Sequence, residues 1–312
     1  MSVSSGGRPT RRTVLAFGVG TALAVGAGSA VAAPVDAGPR AQAPGRSGIV
    51  RHLRELERKH DARLGVFARN TVTGETVRYR ADEPFPMCSV FKTLAAAAVL
   101  RDLDHDGTFL ARVVRYTADD VEKAGHSPVT GDAGNLAHGM TVAALCSATI
   151  SYSDNTAANL LLRELGGPAA VTRFCRSTGD RTTRLDRWEP ELNTAEPGRE
   201  TDTTTPAAIG RTYEGLVLGN LLAPGDRDLL TGWMLANTTS TERFRKGLPA
   251  GWALADKTGG GQYGTNNDVG IAWTEDRTPV VLSVLTTKRQ RDAPGDHPLI
   301  ARTAALLAAE LA

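Results

Sequence analysis

Pro84-Phe85-Pro86-Met87-Cys88-Ser89-Val90-Phe91-Lys92-Thr93-Leu94-Ala95-Ala96-Ala97-Ala98-Val99-Leu100 is the stretch from which the rest of the 312-residue chain can be read. Pro84 and Pro86 disfavour a helix before them, so the helix is expected to open at Ser89. From Val90 to Leu100 the only charged side chain is Lys92. A helix without a polar face belongs in the interior, and burial is expected here. Ser89 and Lys92 are three residues apart and share a helix face, which brings an amine within reach of a hydroxyl. At the helix start, the macrodipole and free backbone N–H groups favour a developing anion. A serine hydroxyl needs an adjacent base to act as a nucleophile, and a lysine in apolar surroundings has a lowered pKa suited to that task. Alone, Ser-x-x-Lys decides little, because it arises by chance about once in a chain this long.

Strand patterns flank this region on both sides. Ile49, Leu53 and Leu56 recur at helical spacing in a helix expected from Ser47. Leu64–Ala68 and Glu75–Tyr79, around Thr73-Gly74, predict a hairpin. Near the end, Trp252–Ala255, Asp268–Trp273 and Pro279–Leu285 read as strands, and Pro298–Leu311 as an Ala/Leu helix. Between these blocks the period is helical, with helices expected over Met140–Ile150, Thr156–Leu165 and Pro168–Ser177. The fold class is therefore α/β (α+β): an antiparallel sheet built from both terminal segments with flanking helices, plus an inserted all-helical lobe. The expected boundaries are 47–83 and 236–312 for the α/β domain and 84–235 for the helical domain. A site would lie at the seam.

The first residues carry an address. Arg11-Arg12 precedes an uncharged run from Thr13 to Ala33, with small residues at Ala30-Val31-Ala32. Residues 1–33 read as a signal peptide of the twin-arginine type and 34–46 as a Pro/Ala/Gly linker; an ordinary secretory leader is the alternative. The expected product is secreted, without stable membrane association once the signal is removed, since no other stretch approaches about 20 apolar residues. Arg8, Arg11 and Arg12 are three of the 36 basic side chains; without them 33 face 34 acidic ones. That balance fits a freely diffusing monomer and argues against a nucleic-acid partner. Cys88, Cys146 and Cys175 are an odd set without Cys-x-x-Cys spacing. They are read as buried small hydrophobes, and with scattered histidines no metal is expected.

Two further motifs complement the first. Ser153-Asp154-Asn155 lies in a polar loop between two helices. It suits a helix N-cap, and equally a Ser153 that carries a proton while Asn155 donates its amide to a substrate. Lys257-Thr258-Gly259-Gly260-Gly261 closes a strand. Glycines there let a substrate backbone approach, and Lys257 and Thr258 offer a cation and a hydroxyl to a carboxylate. Together the three motifs read as parts of one serine acyl-transfer site.

With these motifs in this order, the chain from about residue 46 onward resembles the penicillin-recognising serine enzymes and, within them, the class A serine β-lactamases. The resemblance implies a β-lactam substrate, a serine acyl-enzyme and no cofactor. Ser89 would be the nucleophile, with Lys92, or Glu189 through a water, as the acylation base. Ser153 would deliver the proton to the lactam nitrogen, and the backbone N–H groups of Ser89 and Gly260 would form the oxyanion hole. Glu189-Pro190-Glu191-Leu192-Asn193 matches the class A loop that holds the deacylating water, with Glu189 as base and Asn193 as support. Arg187 and Asp202 match the ion pair that closes this loop. Asn155, Lys257, Thr258, Gly259, Gly260 and Arg243 would bind substrate, Arg243 replacing an arginine more usual at the strand position of Asn266, which is expected to face Lys257-Thr258. His126 falls where relatives place an aromatic at the entrance, though a surface histidine explains it as well. Gly261 is not cysteine, so a bond to Cys88 found in some carbapenem-hydrolysing relatives is excluded. Penicillins are the expected substrates.

Three rivals share part of the pattern. A D-Ala-D-Ala peptidase would lack the release machinery that Glu189 and Asn193 imply. A β-lactam sensor needs a membrane-spanning part. A serine esterase would call for a Ser/His/Asp set, and no Gly-x-Ser-x-Gly elbow is present.

Overall fold

The sheet joins the two ends of the chain. In the computed structural model, which describes residues 46–312, helix α1 (Arg46–Lys59) leads into the hairpin β1 (Arg63–Asn70) and β2 (Thr76–Tyr79). The turn contains Gly74 at φ +75°, a conformation that costs glycine no Cβ clash. Strands β3 (Ala253–Gly260), β4 (Asn266–Trp273) and β5 (Pro279–Thr287) come from the other end, and the order is β2-β1-β5-β4-β3, antiparallel throughout. The central pairing runs from Arg63 opposite Thr287 to Asn70 opposite Val280. The leader read over 1–33 and residues 34–45 of the linker lie outside the described residues. Arg46, assigned to the linker from sequence, is instead the first residue of α1.

Both faces of the sheet are covered, which is why β5 is apolar on both faces from Val280 to Leu285 except at the buried Ser283. With a period of two, Val280, Leu282 and Val284 pack with α1 and the C-terminal helix α8 (His297–Leu311). Val281 and Leu285 join the opposite core with Phe67. That second face is closed by helix α6 (Pro206–Val217), which lies across β1, β4 and β5. A Cβ on Gly210 would sit 2.7 Å from the Phe67 ring, so the approach depends on glycine. The sequence reading grouped α6 with the middle helices. Its place against the sheet follows from the apolar surface that Phe67 and Val281 present.

The other long helices of the middle are α2 (Phe91–Asp102), α3 (Val142–Ser151), α4 (Asn155–Leu165), α5 (Ala169–Ser177) and α7 (Pro224–Leu235), with shorter ones at Thr108–Ala111, Ala118–Ala124 and Ala133–His138. The expectation for α2 holds: every residue from Phe91 to Leu100 is buried, and α3, α4, α5 and α7 all pack around it. The surrounding helices provide the apolar contact that its sequence demands. Cys88, Cys146 and Cys175 are free and buried.

Leu94 lies in this core with no exposure. Leu94→Ala should destabilise the protein by about 2–5 kcal/mol, read as a lower denaturant midpoint at unchanged slope.

Candidate active site

Ser89 sits in a single 3₁₀ turn, Cys88–Val90, immediately before α2. The chain enters this turn under restraint. Met87 N donates to Asp202 O at 2.8 Å, and Asn267 Nδ2 donates to Pro86 O and Met87 O at 2.9 and 3.1 Å. Tyr213 Oη holds Val90 O at 2.8 Å from α6. Strand β3 runs close alongside: a Cβ on Gly259 would lie 3.0 Å from Met87 O and 3.3 Å from Ser89 N. Gly259 therefore lets the strand edge flank the nucleophile. A side chain at Gly261 would meet Asn193 O at 2.6 Å and Cys88 Sγ at 2.8 Å, so glycine is a packing requirement there too.

Lys92 projects from the first turn of α2 with no solvent exposure. Its ammonium donates to Asn155 Oδ1 at 2.6 Å and Ser153 O at 2.7 Å, and lies 3.1 Å from Glu189 Oε1. Burial pushes the Lys92 pKa down, and the Glu189 carboxylate opposes that shift. The expected pairing of Ser89 with Lys92 takes another form. The Ser89 hydroxyl donates to Glu189 Oε1 at 3.3 Å, so serine and lysine meet through one shared carboxylate oxygen. Ser153 Oγ stands between two cations, 3.4 Å from Lys92 Nζ and 2.9 Å from Lys257 Nζ. The Asn155 amide, expected to donate to substrate, is engaged at both ends by protein: Oδ1 accepts from Lys92 and Nδ2 donates to Ala124 O at 2.9 Å. Orienting Lys92 is thus its evident structural task.

Glu189 is buried in the loop that approaches Ser89. Its Oε2 accepts Asn193 Nδ2 at 2.5 Å. Asn193 Oδ1 is buried and has no protein partner. Arg187 Nε donates to Asp202 Oδ2 at 2.5 Å, an ion pair between the two limbs of the loop. Asp202 does more, accepting Asp186 N and Arg187 N on Oδ1 while its own carbonyl accepts Met87 N. One residue therefore couples the loop closure to the segment before the nucleophile.

The substrate-side residues line β3. Lys257 Nζ donates to Thr258 O at 2.8 Å, and Thr258 Oγ1 meets Thr239 Oγ1 at 2.5 Å. Burial, then the neighbouring Lys92 and Arg243 charges, hold the Lys257 pKa well below its ordinary value. Arg243, at the start of the short helix Phe244–Gly247, donates Nη1 to Gly259 O at 3.0 Å and Asn267 O at 2.9 Å. Its Nη2 approaches the Gly260 edge. Asn266 stands opposite Gly260 in the register, a correction to the sequence expectation that placed it facing Lys257-Thr258. The exposed His126 places Nε2 3.3 Å from Tyr152 O, beside the half-exposed Tyr152 and next to Ser153.

Several positioning residues escaped the sequence reading. Asn159 grips Glu189 from both sides, Oδ1 accepting its N–H at 3.0 Å and Nδ2 donating to its carbonyl at 2.9 Å. Asp154, read as a helix cap, does cap Ala157 N at 2.8 Å. It also accepts Val129 N, Thr130 N and the Thr130 hydroxyl, with no exposure. Asn159 follows the Ser-Asp-Asn motif by one helical turn, the one signal that could have singled it out.

A hydroxyl at a helix start, joined through a buried carboxylate to a lysine and flanked by a second hydroxyl between two lysines, defines a serine acyl-transfer enzyme. Residues 48–311 match the model of the β-lactamase enzyme family. The chain is 64% identical to a β-lactamase of Streptomyces lavendulae over 99% of each chain, and 66% identical to one of Streptomyces fradiae over 96% of each. The solved β-lactamase from Streptomyces albus G aligns with a TM-score of 0.83 at 65% identity, covering 83% of this chain and 98% of that one. The chain belongs to the β-lactamase enzyme family, and within it is a class A serine β-lactamase.

Because the Asp202 carboxylate is almost fully buried, Arg187→Ala leaves it without its cation. The loss should be about 3 kcal/mol, measured by thermal unfolding.

Proposed function

We propose that in this β-lactamase Ser89 attacks the lactam carbonyl of penicillins, and of some cephalosporins, to form an acyl-enzyme that Glu189 then releases. The observation that carries this division of roles is the shared Glu189 oxygen. The three shortest contacts of the Lys92 amine, to Asn155 Oδ1, Ser153 O and Glu189 Oε1, with Ser153 Oγ further off at 3.4 Å, match the three donors of an ammonium. A protonated lysine has no lone pair for the serine proton, whereas Glu189 already accepts the Ser89 hydrogen bond. Of the two bases that the sequence left open, the geometry favours Glu189.

The remaining steps follow from position. The N–H groups of Ser89 and Gly260 receive the oxyanion, a contribution of about 3 kcal/mol per donor. Ser153, hydrogen-bonded to Lys257, passes its proton to the lactam nitrogen as the C–N bond breaks, and Lys92 reprotonates it while recovering from Glu189 the proton that came from Ser89. Lys257, Thr258 and Arg243 bind the substrate carboxylate, with Gly259 and Gly260 admitting the substrate against the strand edge. Asn155 and His126 border the acyl side chain. For release, Glu189, again a carboxylate, takes a proton from the water that attacks the acyl carbon and passes it to the Ser89 oxygen as the ester bond breaks, while Asn193 Oδ1, without a protein partner, accepts a hydrogen bond from that water. We further propose export by the leader over residues 1–33, by the twin-arginine route, and action as a secreted monomer. Among the described residues no helix is long and apolar enough to cross a membrane.

Repeated turnover of a chromogenic cephalosporin by the purified protein tests the catalytic reading; a single stoichiometric burst would favour the peptidase or sensor alternatives. Glu189→Ala should slow turnover by about 10²–10⁴-fold, leaving a covalent adduct visible by mass spectrometry if acylation persists by another route, whereas Ser89→Ala should form none. Undiminished turnover by the Glu189 variant would remove its assigned role.

The buried Lys257 ammonium also predicts a pH dependence. Carboxylate binding is complete below its depressed pKa and fades as the pH rises through that value, earlier than for an exposed lysine. KM should therefore climb on the alkaline side, and Lys257→Arg should move that climb to higher pH.

A further inference from the structure

Behind the carboxylate-binding edge, two carboxyl groups lie together out of water. Asp256 on β3 and Asp268 on β4 have no exposure and stand on one face of the strand pair at diagonal positions, Asp256 opposite Gly270 and Asp268 opposite Thr258. One oxygen of each has a donor from elsewhere: Asp256 Oδ2 accepts Asn237 Nδ2 at 3.0 Å, and Asp268 Oδ2 accepts Phe244 N at 3.1 Å. The other oxygen of each, Oδ1, is buried and accepts no hydrogen bond, with Arg245 Nη2 standing 3.7 Å from that of Asp256. Two ionised carboxylates side by side would repel, and Asp268 would keep the full penalty of an unmet buried acceptor. One proton placed between them satisfies both.

We propose that Asp256 and Asp268 share a single proton that rests on Asp268, so that the pair sets one negative charge, not two, behind Lys257 and Arg243. The surroundings decide which residue keeps the charge. Asp256 receives the Asn237 amide and lies 3.7 Å from Arg245 Nη2, with Ser240 also in reach. Asp268 has the Phe244 N–H and the more distant attraction of Arg243. Burial and the adjacent Asp256 hold the Asp268 carboxyl well above the usual carboxylate range, and burial raises Asp256 as well. The other ionisable groups bearing on the pair are Lys257 and, from α6, Tyr213.

The consequence concerns the cations in front. Asp256 and Asp268 are the groups that favour the charged forms of both Lys257 and Arg243. With two negative charges behind them, these cations would be neutralised before a substrate arrived. With one, the edge keeps a net positive charge for the substrate carboxylate while Lys257 stays protonated. This argument rests on the proposed role of Lys257 and Arg243 as carboxylate binders. Asp256 and Asp268 act through those two residues and are positioning residues.

Infrared difference spectroscopy tests the proton without substrate or turnover. The wild-type protein at neutral pH should show the carbonyl stretch of a protonated carboxylic acid that is missing in Asp268→Asn. If no such band distinguishes the two, the proposal is overturned, whatever the catalytic roles of Ser89 and Glu189. The pH profile of kcat/KM gives the second reading. Asp268→Asn supplies a donor and an acceptor in the same places and should keep the wild-type alkaline limb. Asp256→Asn removes the single charge and should move that limb to lower pH by about one unit or more. Equal shifts in both variants would mean two charges and would also overturn the proposal. Should Asp256→Asn fail to fold, the infrared result decides alone.

Discussion

A buried ion pair organises this protein. Lys92 and Glu189 face each other at 3.1 Å, and neither side chain is exposed. Bringing such charges out of water costs several kcal/mol each, recovered only when geometry is good and the remaining hydrogen-bonding groups are met. The surrounding residues can be understood as meeting that demand. Ser153 O and Asn155 Oδ1 take two of the lysine donors, Asn193 satisfies the second carboxylate oxygen, and Asn159 fixes the Glu189 backbone. The Ser89 hydroxyl is directed at the carboxylate oxygen that Lys92 touches, the contact on which the proposed chemistry rests.

This requirement explains why the loop carrying Glu189 is tied down so thoroughly. Its closure joins Arg187, two residues before Glu189, to Asp202, thirteen residues after it. Asp202 extends that closure to the nucleophile through the hydrogen bond from Met87 N. Nucleophile and base thus share an anchor although one precedes α2 and the other follows α5. A cavity of about 820 Å³ lies behind the far limb of this loop, lined by residues that include Arg63, Arg80, Arg199 and Lys288, and it contains none of the catalytic side chains. The reactive centre is instead packed tightly between the sheet edge and the helices.

Much of this was legible before the coordinates, for identifiable reasons. The apolar run after Ser89 has one physical solution, a buried helix, and α2 is buried along Phe91–Leu100. The hairpin and the three late strands carry turn residues and alternating or continuous apolar runs that leave little freedom. The chemically specific residues recur in short motifs with fixed spacing, so Ser89, Lys92, Ser153, Glu189 and Lys257 could be named together. The structure then brings Ser89, Lys92 and Glu189 around one oxygen and places Ser153 between the two lysines. Less visible were residues whose meaning lies in partners far along the chain. Asn159, Asp256 and Asp268 look like ordinary polar residues until the fold shows what each one faces. The placement of α6 depended likewise on which face of β1 was left bare.

The amino-acid sequence by itself determined the local elements, the chemical identity of the site and the order in which its parts occur, because backbone preference, apolar period and motif spacing act over a few residues. Only the tertiary structure decided which donor meets which acceptor. It turned the expected serine–lysine pairing into two contacts on one glutamate oxygen, assigned the Asn155 amide to Lys92 and Ala124, and joined two aspartates behind the substrate edge. The physical reason is that hydrogen bonds and desolvation are set within about 3 Å, and burial brings together at that distance groups that the chain holds far apart.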